Sequence, residues 1–117
     1  MTENRWIEEI DYVERNFSNF TPFLTKRSGM VGFAGELTGP RTGRSYQVVI
    51  KVPVDRYPAQ EPQTYIDPRP ETHHWIPLNI PFEQRHLCYN RDEKWNPAKN
   101  SFANCILIAL RYLRDFD

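Results

Sequence analysis

The side chains best suited to covalent chemistry lie close together in the second half of the chain. Cys88 follows His86 by two residues and precedes Trp95 by seven, and Trp95 begins the sequence Trp-Asn-Pro-Ala. In an extended segment, alternation places His86 and Cys88 on the same side, where a neighbouring imidazolium lowers the pKa of a thiol. The spacing leaves two interpretations of His86 open, a partner of the Cys88 thiol or a solvated residue of a surface loop.

The second cysteine has a different setting. Cys105 lies on the apolar stripe of a helical pattern, where a free cysteine behaves as a small apolar residue. Two cysteines without a Cys-x-x-Cys pair are too few for a disulfide framework or a redox motif, so both thiols are expected to be reduced. A metal site that used Cys88 would need three or four ligands at fixed geometry, and the spacing of His73, His74 and His86 does not indicate one. No metal is expected.

Amphipathic spacing predicts a helix at the start of the chain, from Arg5 to Phe17. Apolar residues recur there at steps of three and four, while acidic residues occupy the other face. The apolar positions are Trp6, Ile7, Ile10, Val13 and Phe17, and the acidic positions are Glu8, Glu9, Asp11 and Glu14. Thr2 is the predicted N-cap of this helix.

A meander of antiparallel strands is predicted between Thr21 and Ile66. β-Favouring runs are separated there by Ser28-Gly29, Thr38-Gly39-Pro40 and Thr42-Gly43, which indicates three or four strands. Most of the ten prolines fall between Pro53 and Pro97. Because proline has no N–H and restricts the residue before it, the stretch after the sheet is predicted to be a structured, extended loop.

The last predicted element is a long helix that begins near Asn100 or Ser101. Its buried face is expected to carry the apolar residues at helical spacing, which are Phe102, Cys105, Ile106, Ala109, Leu110 and Leu113. This helix must pack on the sheet to cover that face. Helices segregated from a run of strands predict an α+β fold, and 117 residues with 39% hydrophobic content suffice for a single domain over residues 1–117.

Composition argues against several classes of partner. The 15 basic side chains equal the 15 acidic ones, so the chain lacks the basic excess that nucleic-acid backbones select. The sequence has no run of about 18 apolar residues, so no membrane span is predicted. Met1 to Ile10 carries three glutamates where a signal peptide needs basic and then apolar residues. We therefore expect a cytoplasmic protein that binds neither nucleic acid nor membrane.

Several motifs in this chain resemble those of ubiquitin-conjugating (E2) enzymes. Cys88 followed by Trp95-Asn96-Pro97-Ala98 is similar to the family's active-site cysteine followed by Trp-Ser-Pro-Ala. Upstream, Val48 to Val52 followed by Pro53-Val54-Asp55-Arg56-Tyr57-Pro58 is similar to the family's strand and Pro-x-Asp-x-Tyr-Pro turn. Gly39-Pro40 resembles the Gly-Pro that ends the family's first strand, and the predicted first helix fits its opening helix. The resemblance extends over nearly the whole chain.

This resemblance implies an E2/UBC-like fold with an active-site loop before the long C-terminal helix, truncated at the C-terminus relative to the family. The family usually continues with one or two further helices, whereas this sequence ends at Asp117, directly after the helix that follows the cysteine. In size the chain is most similar to minimal E2-like proteins of bacteria, some of which belong to antiphage operons of the CBASS type.

The resemblance also implies a catalytic thioester on Cys88. In that family the cysteine accepts the C-terminus of a ubiquitin-like protein and passes it to an amine, usually a lysine. The family's His-Pro-Asn tripeptide is absent, and Asn79, nine residues before Cys88, is the candidate amide donor to the carbonyl oxygen. His74 is a second candidate, as donor or base, and His86 is a third.

The partners implied by the resemblance are three proteins. They are an adenylating E1-like protein, a ubiquitin-like protein or another protein with a conjugatable C-terminus, and a target with an acceptor lysine. No cofactor is expected in this chain, since it has no Gly-rich phosphate loop and ATP would be used by the activating protein. In a bacterial antiviral defence operon, the modified protein would by analogy be a cGAS-like nucleotidyltransferase.

Two alternatives stay open at this point. A noncatalytic E2-variant or RWD-like module would bind proteins without using Cys88. The missing tripeptide and C-terminal helices favour the module, whereas the cysteine at matching spacing favours the enzyme. A Cys-His hydrolase would use Cys88 with His74 or His86 to release a thioester, and it would turn over without an acceptor amine.

Overall fold

A computed structural model describes residues 1–68 and 94–117 of the chain. Its first helix, α1, spans Glu3–Asn16, and the Thr2 side chain caps it by accepting a hydrogen bond from the Arg5 N–H at 3.2 Å, as predicted. The predicted apolar face is correct only in part, because Val13 is buried but Ile7 is 55% exposed. Glu9, predicted on the solvent face, is buried instead. The side of α1 that faces the domain is thus centred nearer to Glu9 and Val13 than to Ile7.

Four strands follow in one antiparallel meander, in the spatial order β1-β2-β3-β4. They are β1 Phe20–Thr25, β2 Met30–Thr38, β3 Ser45–Pro53 and β4 Gln63–Asp67. The predicted meander is confirmed. The turn glycines Gly29 and Gly43 adopt φ of 65° and 74°, backbone angles that residues with a Cβ rarely adopt. Gly39-Pro40 follows the second strand, so the prediction that it ends the first strand is wrong.

The second helix, α2, spans Phe102–Phe116 and begins slightly later than predicted. Residues 97–99 form a turn ahead of it, so the Trp-Asn-Pro-Ala segment precedes the helix. The predicted buried face is correct except at Leu110, which is 38% exposed, and the prediction omitted Ala103 and Tyr112, which are buried. Neither α1 nor α2, the helices formed by residues 1–68 and 94–117, has the length and apolarity needed to cross a membrane.

Both helices pack against the same face of the sheet. Phe33 of β2 is their common contact, with its ring centroid 5.3 Å from that of Trp6 in α1 and 5.2 Å from that of Phe102 in α2. Alternate strand residues point into this layer, as the two-residue period of a strand requires. The buried apolar strand residues of this face are Phe20, Val31, Phe33, Leu37, Tyr46, Val48, Ile50, Val52 and Ile66. The core therefore lies between the sheet and the two helices, in a small α+β domain.

Candidate functional site

The predicted catalytic residues lie outside the described part of the chain. Cys88, Asn79, His74 and His86 all fall between residues 68 and 94, so their roles stay predictions. The structure describes the chain on both sides of this interval, with β4 and Pro68 before it and Lys94 and Trp95 after it. The contacts of Trp95 and of the residues that follow it are therefore the geometry nearest in sequence to Cys88.

Trp95 is anchored to the turn between β3 and β4. Its indole N–H donates to the Pro58 carbonyl oxygen at 2.6 Å, and its ring centroid lies 6.3 Å from that of Tyr57. The Tyr57–Pro58 peptide bond in this turn is cis. The segment after Cys88 and the Tyr-Pro turn are thus in direct contact, although 37 residues separate Trp95 from Pro58 in the sequence.

Glu9 of α1 joins the same turn to the start of α2. Its carboxylate accepts hydrogen bonds from the Tyr57 hydroxyl at 2.7 Å, from the Phe102 N–H at 2.9 Å and from Arg5 Nε at 3.0 Å. Only 8% of Glu9 is exposed, and a buried carboxylate is tolerated when its oxygens are paired in this way. Since the Phe102 N–H is one of the donors that a helix leaves unpaired at its start, Glu9 also stabilises the positive end of α2.

Tyr57 is held in its neutral, donating form. Burial raises the pKa of Tyr57 well above its ordinary value, and the hydrogen bond to the negative Glu9 carboxylate raises this pKa further. The Tyr57 ring stacks on Phe102 with centroids 4.4 Å apart. Its hydroxyl therefore serves as a fixed hydrogen-bond donor between the turn and the two helices, not as a base.

Arg5 of α1 binds the turn that precedes α2. Its Nη1 donates to the Pro97 carbonyl oxygen at 2.5 Å, and its Nη2 donates to the Asn100 carbonyl oxygen at 2.7 Å. That turn is closed internally, because the Asn96 N–H donates to Asn100 Oδ1 at 2.8 Å and the Asn100 N–H donates to the Asn96 carbonyl oxygen at 2.7 Å. The planar guanidinium presents several N–H donors in a fixed fork, so one side chain can bind two carbonyls and the Glu9 carboxylate together.

Sequence reasoning missed the roles of Arg5 and Glu9. A signal existed, since an arginine four residues before a glutamate predicts an ion pair along a helix. The same spacing separates Asp11 from Arg15, which form an exposed ion pair of 3.2 Å on the same helix. The spacing alone therefore does not distinguish a buried pair with distant partners from a solvated one.

A groove of about 500 Å³ lies beside this cluster, between α1 and residues 98–103. Glu8 and Tyr12 lie on one wall, and Lys99 and Ser101 lie on the other. A volume of this order is common for small-molecule pockets. Of the described residues that line it, none is a cysteine or a histidine.

Cys105 is confirmed as a residue of the buried stripe of α2. It is 3% exposed, and burial raises the pKa of its thiol far above the ordinary value. A neutral thiol inside the core is a poor nucleophile. Across residues 1–68 and 94–117, no three His, Cys, Asp or Glu side chains are grouped so that they could hold a metal ion.

At the other end of α2, Asp117 binds the turn between β2 and β3. Its carboxylate accepts hydrogen bonds from the Thr42 hydroxyl at 2.7 Å, from the Tyr46 hydroxyl at 2.8 Å and from the Arg41 N–H at 2.9 Å. These bonds, the one from the Thr42 hydroxyl foremost, hold the pKa of the Asp117 carboxyl well below its usual range. Both ends of α2 are therefore fixed by hydrogen-bonded carboxylates, Glu9 at the start and Asp117 at the end.

Comparison of the chain with models of known protein families, with curated proteins and with solved structures finds no match in any of the three.

Proposed function

We propose that this protein is an E2-like conjugating enzyme that carries a protein C-terminus as a thioester on Cys88 and transfers it to an amine. The observation that carries the proposal is the hydrogen bond from Trp95 Nε1 to the Pro58 carbonyl oxygen. It joins the Tyr-Pro turn to the Trp-Asn-Pro-Ala segment, which are the two motifs that most resemble E2 enzymes. Two short motifs that matched by chance would have no reason to be in contact.

The order of the elements gives further support. An opening helix, a four-stranded meander and a second helix packed on the sheet follow one another as in the E2-like order, and the interval that contains Cys88 lies between β4 and α2. The start of α2 is fixed by Glu9, and the preceding turn is fixed by Arg5. The chain therefore leaves the interval with Cys88 at a well-anchored point, as a segment that presents a nucleophile requires.

The proposed reaction has two steps. The Cys88 thiolate attacks the carbonyl carbon of a thioester on the activating protein, and the tetrahedral intermediate expels that protein's thiolate to leave a thioester on Cys88. A neutral lysine amine then attacks this carbonyl, loses a proton to a base and expels the Cys88 thiolate, which leaves an amide. In this proposal Asn79 donates a hydrogen bond to the developing oxyanion, and His74 or His86 accepts the proton.

The proposed partners follow from this chemistry. An E1-like protein adenylates and charges the modifier with ATP, a ubiquitin-like or similar protein supplies the C-terminal carbonyl, and a target protein supplies the lysine. We place the enzyme in the cytoplasm of a bacterium, in an antiviral defence operon whose cGAS-like nucleotidyltransferase is the target.

The test is the formation of a thiol-sensitive adduct when the protein is incubated with ATP and the proteins encoded beside it. Intact mass and non-reducing gels compare the wild type with Cys88→Ala and Cys88→Ser, and with Cys105→Ala as the matched control. We expect a reductant-sensitive adduct on the wild type and on Cys105→Ala, and no adduct on Cys88→Ala. Cys88→Ser is expected to carry an ester that resists the reductant.

Two other outcomes would contradict the proposal. If the activating protein charges itself but no variant of this chain forms an adduct, a noncatalytic protein-binding module of the E2-variant or RWD-like kind is favoured. If the wild type instead releases the modifier from a supplied thioester without added amine, and Cys88→Ala does not, the protein is a Cys-His hydrolase.

A further inference from the structure

The two helices expose apolar side chains on the side that faces away from the sheet. In the part of the chain that the structure describes, five large apolar side chains are exposed, and four of them lie on α1 and α2. These four are Ile7 and Tyr12 of α1 and Leu107 and Leu110 of α2. Single exposed leucines are normal on a protein surface, whereas apolar side chains that adjoin one another indicate an interaction surface.

The exposed apolar residues of α2 adjoin Tyr12 of α1. Tyr12 and Ala103 line the same groove, so they lie next to each other across the space between the helices. Leu107 and Leu110 follow Ala103 by four and seven residues, and residues at this spacing share one side of a helix. An apolar strip therefore runs from Tyr12 across the groove to Leu107 and Leu110.

The charges around this strip have opposite signs on the two helices. The exposed acidic residues of α1 are Glu3, Glu8, Asp11 and Glu14, and its exposed basic residue is Arg15. The exposed charged residues of α2 are Arg111, Arg114 and Asp115. Within residues 1–68 and 94–117, neither Glu8 nor Arg111 has an ion-pair partner. The outer face of α1 is thus acidic, and that of α2 is basic.

We propose that these outer faces of α1 and α2, together called the helical surface, dock against the helical surface of a second copy of this chain. In a two-fold symmetric dimer the same surface of both copies meets itself. If α1 met α1, acidic faces would oppose each other. If α1 of each copy meets α2 of the other, an acidic face opposes a basic face twice, and the apolar strips meet between them. The charges therefore select the second arrangement.

The size of the helical surface predicts a weak, reversible dimer. The helices contain 14 and 15 residues. At 1.5 Å per residue and a width of about 10 Å for each helix, the pair covers about 20 Å by 20 Å, or about 400 Å² on each copy. Stable complexes bury about 800 Å² on each partner, so we expect a Kd of about 10 to 100 μM. The dimer is independent of the proposed thioester chemistry, so its test needs no activating protein.

Sedimentation velocity of the full chain tests the proposal, at concentrations from about 5 to about 500 μM. A reductant excludes dimers linked by a disulfide. The wild type is expected to change from monomer to dimer across this range. The double variant Arg111→Glu/Arg114→Glu reverses the basic face, and Glu8→Lys/Glu14→Lys reverses part of the acidic face. Each should raise the Kd about tenfold or more, because like charges then oppose each other.

A matched control changes the same amount of charge outside the helices. Lys26 and Arg27 are exposed in the turn between β1 and β2, and Lys26→Glu/Arg27→Glu alters the net charge as much as the reversal on α2 does. This control should dimerise with the Kd of the wild type. Far-UV circular dichroism checks that every variant is folded. Should a reversed variant not fold, Leu107→Ser at its exposed position takes its place, with an expected increase in Kd of about tenfold.

A mixture of the two reversed variants tests the pairing of α1 with α2. In a dimer that contains one copy of each variant, an acidic face again opposes a basic face in both contacts. An equimolar mixture should therefore dimerise with a Kd near that of the wild type, although neither variant does so alone. A mixture that stays monomeric would contradict this arrangement.

Two further results would overturn the proposal. One is a wild type that remains monomeric up to about 500 μM, since the expected Kd lies well below that concentration. The other is a dimer whose Kd is the same in the wild type, in both reversed variants and in the control, because such a dimer would use a different surface.

Discussion

The Glu9 carboxylate accepts a hydrogen bond from the Tyr57 hydroxyl at 2.7 Å, and this bond joins α1 to the turn before β4 across 48 residues of chain. The same carboxylate binds the Phe102 N–H, 93 residues away. One buried side chain therefore sets the relative placement of α1, the Tyr-Pro turn and the start of α2. The contacts nearest in sequence to the predicted nucleophile depend on this placement.

Glu9→Ala is expected to lower the free energy of unfolding by about 3 kcal/mol, because it leaves the buried donors of Tyr57 and Phe102 unpaired. Tyr57→Phe removes one donor but keeps the stacked ring, and should cost about 1 kcal/mol. Urea unfolding measures both changes, with the exposed neighbour Glu8→Ala as the control expected within about 0.5 kcal/mol of the wild type. A Glu9→Ala loss as small as that of Glu8→Ala would show that the carboxylate adds no stability.

Asp117 is expected to make the stability of the protein depend on acid pH. Hydrogen bonds, that of Thr42 foremost, lower the pKa of this carboxyl below the value of about 3.9 for an unfolded aspartate. The stabilisation is therefore present above that pH and is lost progressively as the pH falls below it. Asp117→Asn should be less stable than the wild type at about pH 7. This gap in stability between the two proteins should be smaller at about pH 2.5.

Thermal melts at the two pH values measure this gap. Asp55→Asn, at an exposed position in the turn after β3, is the matched control and should melt as the wild type does at neutral pH. An Asp117→Asn gap of equal size at both pH values would contradict the assignment of this acid sensitivity to Asp117.

Gly39→Ala is expected to destabilise the protein through Asp117. A Cβ on Gly39 would collide with the Asp117 carboxylate, which is held in place by its own hydrogen bonds, so the substitution should cost about 2 kcal/mol. In an Asp117→Ala background the obstacle is absent, and the same change should cost at least about 1 kcal/mol less.

Gly43→Ala is the control for this pair of measurements. Its positive φ makes alanine costly there, by about 1 kcal/mol, but nothing lies near the added Cβ. Its cost should therefore be the same with and without the Asp117 side chain. Urea unfolding of each glycine variant, with and without Asp117→Ala, measures how far the cost of that variant depends on the Asp117 side chain. Equal costs of Gly39→Ala in both backgrounds would rule out the collision as the cause.

Cys105 is expected to resist alkylation in the native protein at about pH 8, because it is buried and its raised pKa keeps the thiol neutral. The same residue should react readily once the protein is unfolded in guanidinium. Peptide mapping after a short exposure to iodoacetamide measures both states. Labelling of Cys105 in the native protein at the rate of the unfolded chain would contradict its burial.

The two helices differ in how well hydrophobic periodicity predicts which of their residues are buried. In α2 the spacing identified five of the six predicted residues correctly, because a long helix on a sheet buries a regular stripe, but it included the exposed Leu110 and missed the buried Ala103 and Tyr112. In α1 it placed Ile7 inside and Glu9 outside, and both assignments were wrong. A hydropathy pattern predicts that a glutamate is exposed to solvent. Glu9 is buried because its hydrogen-bond partners include residues of two segments that are distant in the sequence.

The sequence by itself determined the order of the elements, the Thr2 cap and the glycine turns, because each depends on residues only a few positions apart. It also supplied the prediction of a nucleophilic thiol at Cys88. The tertiary structure alone decided that Glu9 is buried and that Trp95 is anchored at Pro58. Those contacts join residues 37 to 93 positions apart, and only the packing of both helices on one face of the sheet brings them within hydrogen-bond distance.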